Sequence, residues 1–199
     1  MKISNDINSN FKGWHSRGYI PHFDSSQVIQ VVTFRLIDSL PDYVIQNLYE
    51  TLKSKSESEK RRYIDRQLDE CLGKCYLSDH RIAEIIEDAF KYFHDQRYYL
   101  IAWVVMPNHV HVMIETNNNY TLSQIIHSWK SYTAKEANKI LQREGVFWQA
   151  DYWDRFIRDE LHFYRVIEYI HNNPVKAGLC KKPEDWLFSS ARHPELFKS

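Results

Sequence analysis

The sequence predicts an α+β fold in which helices pack on an antiparallel sheet. Runs rich in β-branched residues alternate with segments of helical period, in the order strand, helices, strand, strand, helix, strand, helix. Pro107 and Asn108 separate two of these runs and predict a hairpin turn. No internal repeat or low-complexity linker interrupts the 199 residues. This order is that of a ferredoxin-like sheet with an added C-terminal helix.

Length and composition predict one domain preceded by an arm. A chain of 199 residues is long enough for a sizeable core. Residues 1–26 carry glycine, proline and several polar residues without a regular period, so we expect an N-terminal arm there and a single domain over 27–199. Hydrophobic content is 43%, and no stretch approaches the roughly 18 apolar residues of a membrane span. The polar N-terminus lacks a signal-peptide core, which predicts a cytoplasmic protein.

The strands and the first helices follow from local pattern. Strands are predicted at 28–36, 98–106, 109–115 and 147–157. Residues 38–42 predict a turn into a helix with Ser39 as N-cap, followed by a charged helical stretch to about residue 71. The charge run at 53–62 is interpreted as solvated. Asp79 opens a further helix with apolar residues at helical spacing.

Two helices are predicted in the second half of the chain. Thr121 or Ser123 caps a helix that reaches residue 141, and Asp159 caps a helix from 160 to 172 or 173. We expect Pro174 to stop this last helix, because proline constrains the residue before it.

His109 and His111 are the first candidate functional residues. Successive side chains of a strand alternate faces, so the two imidazoles project from one face about 7 Å apart and can reach the same metal ion. The alternative is that one histidine is a hydrogen-bonded core residue and the other a surface residue. Their position at the start of the second hairpin strand favours a site, because sites are often placed beside rigid strand ends.

Tyr169 and Asn173 are the second candidate pair. They lie four residues apart on the last predicted helix and therefore share a face. Asn173 could add an amide oxygen to the two imidazoles, with the Tyr169 hydroxyl beside the metal. The residues alone favour the simpler interpretation, in which Tyr169 packs and Asn173 caps the helix end.

Charge and cysteine content narrow the classes of function. Lysine plus arginine and aspartate plus glutamate both number 26, which argues against bulk electrostatic binding to duplex DNA but allows a local basic cleft. The aromatic content of 15% suits single-stranded nucleic acid, although most of these rings are expected in the core. The odd count of three cysteines excludes a disulfide framework, and Cys71 and Cys75 with His80 make only a weak zinc pattern.

Several segments together resemble a known family, the single-tyrosine HUH transposases, and within it the REP-associated tyrosine transposases of bacteria. The matching segments are 17–23, 32–36, 102–111, 147–149 and 169–179. The resemblance extends over nearly the whole chain, and the combination of motifs is specific where each motif alone is not.

The resemblance implies an enzyme that cleaves and rejoins single-stranded DNA. It implies that His109 and His111 are metal ligands, that Tyr169 is the nucleophile and that Asn173 is the third ligand. Insertion-sequence relatives usually carry glutamine at this last position, so asparagine fits the REP-associated branch. Tyr132 is a second candidate for the nucleophile. The family implies Mg²⁺ or Mn²⁺, which a mixed nitrogen and oxygen donor set accepts, and zinc also fits such donors.

The implied substrate is single-stranded DNA beside an imperfect REP hairpin. Two groups of residues are candidates for reading it, and they are Arg17, Tyr19 and His22 in the arm and Trp148, Tyr152 and Trp153 near the last strand. Two alternatives remain open at this point, a domesticated protein that binds the hairpin without catalysis and a metal-dependent hydrolase of another phosphodiester. We expect a monomer or a weak homodimer, with no membrane partner.

Overall fold

A computed structural model describes residues 13–16, 21–25, 27–50 and 55–193 of the chain. In chain order the elements are β1 (Gly13–Ser16), β2 (Pro21–Asp24), β3 (Ile29–Arg35), α1 (Asp42–Glu50), α2 (Glu57–Asp69), α3 (His80–Tyr92), β4 (Tyr98–Val105), β5 (His109–Thr116), α4 (Leu122–Ile140), β6 (Trp153–Phe156) and α5 (Glu160–Lys176). Short 3₁₀ turns lie at Tyr76–Ser78, Pro183–Asp185 and Ser190–Arg192.

Four strands form one antiparallel sheet in the order β4-β5-β3-β6. Strands β4 and β5 form the predicted hairpin, and β3 lies between β5 and β6. This is the strand order of a ferredoxin-like sheet, so the predicted α+β fold is confirmed. Strands β1 and β2 form a separate two-stranded hairpin in the region predicted as an arm, and the predicted boundary at residue 26 stays a prediction.

Strand alternation gives the sheet two apolar faces. Side chains such as Val32 and Val112 point to one face, where they pack with α3 and α4 in the larger core cluster. Val31 and Met113, one residue along each strand, belong to the cluster that includes Val166 and Ile170 of α5. The histidines of β5 have the same alternation as Met113, so the fold directs them toward α5.

Helices α1 and α2 add a third, smaller cluster. Its buried members are Leu40, Val44, Ile64 and Leu68, and Trp153 of β6 packs against it. This contact holds α2 beside the edge of the sheet that β6 forms, on the side where α5 lies. Helix α2 begins with a capping box between Ser56 and Glu59.

The predicted N-caps Asp79, Thr121 and Asp159 are confirmed, because each side chain accepts a backbone N–H of its helix. The Ser39 prediction is wrong. Its hydroxyl donates to the Leu36 carbonyl instead, and α1 begins at Asp42.

Two predicted boundaries also differ from the structure. Helix α5 continues past Pro174 to Lys176. Proline removes only its own N–H from the helix, and the helical hydrogen bonds resume where the Ala177 N–H donates to the Asn173 carbonyl. The predicted strand at 147–157 is regular only over β6, and before it Trp148 makes a single bridge to Leu36. None of the helices in the described ranges is both long and apolar enough to span a membrane.

Candidate metal and tyrosine site

His109 and His111 converge on one point on the α5 side of the sheet. Both are buried, with exposed fractions of 0% and 1%. Their Nε2 atoms are 3.1 Å apart and their rings are nearly perpendicular. The strand places the two side chains on one face, and the ring orientations then bring the two nitrogens together.

The other ring nitrogen of each histidine has its own partner. Asn108 Nδ2 donates to the carbonyls of Leu68 and Leu72, so its Oδ1 is the atom that accepts from His109 Nδ1–H, at 2.7 Å. The lone pair of His109 is then at Nε2, as a metal ligand requires. His111 Nδ1 lies 2.7 Å from Thr33 Oγ1 of β3, a hydroxyl that can accept from Nδ1–H.

Burial keeps the imidazole of His109 neutral. The surrounding apolar side chains lower the pKa of His109 to about 3, because the charged imidazolium loses its hydration. A neutral imidazole carries the lone pair that binds a metal.

Tyr169 and Asn173 approach the histidines from α5. The Tyr169 ring lies edge to face with the His111 ring, with 5.3 Å between centroids, and Lys176 Nζ lies 4.8 Å from the Tyr169 centroid. The hydroxyl of Tyr169 and Oδ1 of Asn173 are buried and make no hydrogen bond of normal geometry to the described residues. Two buried oxygen atoms therefore lie on α5, on the side of the sheet that the two imidazoles face.

The electrostatics oppose ionisation of the tyrosine in the absence of a cation. Burial raises the pKa of Tyr169 well above its usual range, and the carboxylate of Asp65 on α2 raises it further. The Asn173 amide lowers it again in part. The alternative nucleophile, Tyr132, is exposed on α4, which packs on the opposite face of the sheet.

The donor set fits a small divalent ion. Two nitrogens at about 2.1 Å from one ion and near a right angle to each other are about 3 Å apart, close to the separation of the two Nε2 atoms. Two imidazoles with oxygen donors suit Mg²⁺, Mn²⁺ or zinc. In the described part of the chain no three His, Cys, Asp or Glu side chains are grouped to hold a metal, Cys71, Cys75 and His80 included.

The family model for IS200-like transposases matches residues 74–173, half of the chain. The chain belongs to this family. The matched segment contains both histidines, Tyr169 and Asn173, whereas β3 and α2 lie outside it.

The chain is also similar to two curated proteins. It is 31% identical over 101 residues to a putative REP-associated tyrosine transposase of Haemophilus influenzae, covering 45% of this chain and 57% of that protein. It is 30% identical over 98 residues to a REP-associated tyrosine transposase of Escherichia coli, covering 48% and 56%. The chain therefore matches little more than half the length of these relatives.

One solved structure has the same fold. A REP-associated tyrosine transposase bound to a REP hairpin superposes with a TM-score of 0.54 and 18% identity, over 86% of this chain and 81% of that one.

The residues predicted to read DNA divide into three groups. Trp148 and Tyr152 are core residues, and the Trp148 indole donates to Thr133. Their burial is at odds with the predicted contact to DNA. Trp153 is half-buried and lines the cavity beside Tyr169. Arg17 and Tyr19 lie outside the described residues.

His22, the third arm residue, joins the β1–β2 hairpin to β6. It is buried, pairs with Asp154 through Nδ1 and with Asp151 through Nε2, and its ring lies 4.5 Å from that of Tyr152. Burial alone lowers the pKa of His22, but the two carboxylates outweigh it and raise the value from 6.5 to about 9. The structure therefore gives His22 a stabilising contact, and its predicted contact with DNA stays a prediction.

We expect the contact of His22 with Asp151 and Asp154 to make the free energy of unfolding depend on pH. The folded pKa of His22 is raised, so its contribution is complete below pH 6.5 and is lost as pH rises through about 9. The shift corresponds to about 3 kcal/mol. In urea unfolding, the difference between wild type and His22→Gln should shrink by this order between about pH 6 and pH 10. The control is His127→Gln, which changes an exposed histidine. A difference in unfolding free energy between wild type and His22→Gln that does not change with pH contradicts the assignment.

Four residues of the site were not identified from sequence. Thr33 and Asn108 orient the histidines, and Arg62 and Asp65 of α2 line the cavity at Tyr169. Of these four residues, Asn108 is the one whose role the sequence could have indicated, since it directly precedes His109. The α2 residues belong to charged sequence that is also typical of a solvated helix face, and only the packing of α2 on Trp153 distinguishes them.

Proposed function

We propose that this IS200-like transposase cleaves and rejoins single-stranded DNA beside REP-type hairpins, through a covalent 5′-phosphotyrosine on Tyr169. The observation that carries the proposal is the convergence of the His109 and His111 Nε2 atoms next to the Tyr169 ring. The names of the two curated relatives and of the hairpin-bound structure support REP-type DNA as the substrate.

The proposed step is an in-line displacement at one phosphodiester. Tyr169 Oη loses its proton and bonds to phosphorus, the bond from phosphorus to the 3′ oxygen breaks, and that oxygen takes up a proton. The products are a 5′-phosphotyrosine and a free 3′-hydroxyl. Since the bond energy is kept in the phosphotyrosine, a 3′-hydroxyl of another strand can reverse the step and join two ends.

His109, His111 and Asn173 are the residues that would hold the divalent ion, Mg²⁺ or Mn²⁺. A bound ion supplies positive charge to the phosphate oxygens as the transition state forms. Thr33 and Asn108 hold the two imidazoles with Nε2 directed at the ion site. The ammonium group of Lys176 lies 4.8 Å from the centroid of the Tyr169 ring and places a cation beside the nucleophile.

A second candidate function is hairpin binding without catalysis. The observation that favours it is the burial of the Tyr169 hydroxyl near the carboxylate of Asp65, because a buried neutral phenol is a weak nucleophile. In that case His109 and His111 are structural residues, and Nε2 of one donates to Nε2 of the other.

A denaturing gel with labelled DNA distinguishes the two functions. The purified protein is incubated with 5′- or 3′-labelled single-stranded DNA carrying a REP hairpin, with Mg²⁺, Mn²⁺ or EDTA. We expect a covalent band with the label on the 3′ side of the cut only, in either metal and not in EDTA. A native-gel shift of the hairpin without any covalent band in either metal overturns the catalytic proposal and supports the binding function.

A further inference from the structure

A cavity of about 410 Å³ lies beside Tyr169 and is built by four elements. Cross-strand neighbours of β3 and β6 form its floor, since Val31 pairs with Arg155 and Thr33 with Trp153. Its walls are α5, through Val166 and Tyr169, and α2, through Arg62 and Asp65. Thr33 also contacts His111, so one lining residue of the cavity belongs to the candidate metal site as well.

The lining of the cavity combines charge and an aromatic ring in one small space. Two guanidinium groups, of Arg62 and Arg155, and one carboxylate, of Asp65, leave a net charge of one positive unit. This matches the single negative charge of a phosphodiester, which the planar guanidinium binds through paired hydrogen bonds. The chain as a whole has no net charge, so this is a local feature.

Trp153 presents an aromatic ring that packing contacts hold at the cavity. Its ring packs against the α1–α2 cluster, and the buried guanidinium of Arg35 lies 6.0 Å from its centroid. A fixed indole ring is a platform on which an unpaired base stacks, whichever base it is. The volume is in the range of about 300 to 1,000 Å³ that small-ligand pockets have, which admits one nucleotide and excludes a duplex.

We propose that this cavity binds one unpaired nucleotide of the strand that Tyr169 attacks, with the base on Trp153 and the phosphate at Arg62 and Arg155. The proposal rests on the proposed function, because it places the nucleotide next to the phosphodiester to be cut. It assigns to α2, outside the segment matched by the family model, a direct role in holding the substrate.

Fluorescence anisotropy with full-length protein carrying Tyr169→Phe tests the charge contacts without cleavage. The probes are a REP-type hairpin with a single-stranded flank and the same hairpin without it. We expect Arg62→Ala to weaken binding of the flanked probe about fivefold or more and to leave the bare hairpin unchanged. Arg66→Ala, an exposed arginine of the same helix that does not line the cavity, is the matched control. Equal effects of the two variants overturn the proposal.

Abasic substitution tests the stacking contact and separates this proposal from the proposed function. Removing one base of the flank should weaken binding about fivefold or more at a single position, and Trp153→Leu should abolish that dependence. Without such coupling the cavity proposal fails, even if the wild type forms the covalent band. If the coupling is present and the wild type forms no covalent band, the cavity proposal holds and the cleavage proposal fails.

Discussion

In Tyr169→Phe we expect the covalent protein–DNA band to disappear while binding of the hairpin stays close to wild type. The loss should exceed about 1,000-fold in rate, since the variant lacks the atom that bonds to phosphorus. The fold should tolerate the change, because phenylalanine keeps the ring that contacts His111 and Lys176.

Tyr132→Phe is the matched control for this prediction. It removes the same hydroxyl from an exposed tyrosine of α4, on the far face of the sheet. We expect the covalent band of this variant to equal that of wild type on the denaturing gel. A band that survives in Tyr169→Phe and is lost in Tyr132→Phe reverses the assignment of the nucleophile.

Residues close in sequence carried most of what could be predicted about the site. His109 and His111 share a face because strands alternate, and Tyr169 and Asn173 share one because helices repeat every 3.6 residues. These local periods hold in any fold, so the two pairs could be named from sequence. That the pairs face each other depends on α5 packing against β5, and only the resemblance to a family indicated it.

The surroundings of several other residues depend on tertiary contacts. Aromatic residues such as Trp148 and Tyr152 are typical of surfaces that stack on DNA bases, but aromatic rings also fill cores. Here both rings are buried, where Trp148 contacts Thr133 and Tyr152 contacts His22. Arg62 and Asp65 gave no signal because a charged helix face is usually solvated. Their role at the cavity follows from α2 docking on Trp153, a contact between residues about ninety positions apart.

Helix α2 connects to the proposed metal ligands through Asn108. The carbonyl of Leu68, in the last turn of α2, and that of Leu72 accept from the Asn108 amide, which in turn holds His109. Since such outer partners fix both the tautomer and the direction of a histidine, we expect the position of α2 to influence the affinity of the proposed site for metal. This leads to the second prediction of large effect.

We expect His109→Ala to abolish binding of Mn²⁺, as measured by calorimetry on the protein without DNA. In wild type, Mn²⁺ at about 100 times its Kd should stabilise the fold by about 2.7 kcal/mol and raise the Tm by about 5 to 10 °C. His109→Ala should show no such rise, because one of the two converging nitrogens is gone. Asn108→Ala keeps both imidazoles and should lose only about 10- to 100-fold in affinity.

His127→Ala, which removes an exposed histidine of α4, should bind Mn²⁺ as wild type does. The predicted order of affinity is then wild type and His127→Ala, followed by Asn108→Ala, followed by His109→Ala. A folding defect does not produce this order, since the Tm of each variant without metal is measured in the same experiment. Binding of Mn²⁺ to His109→Ala with wild-type affinity shows that the ion is held elsewhere, and the role of His109 is then structural, as the non-catalytic function requires.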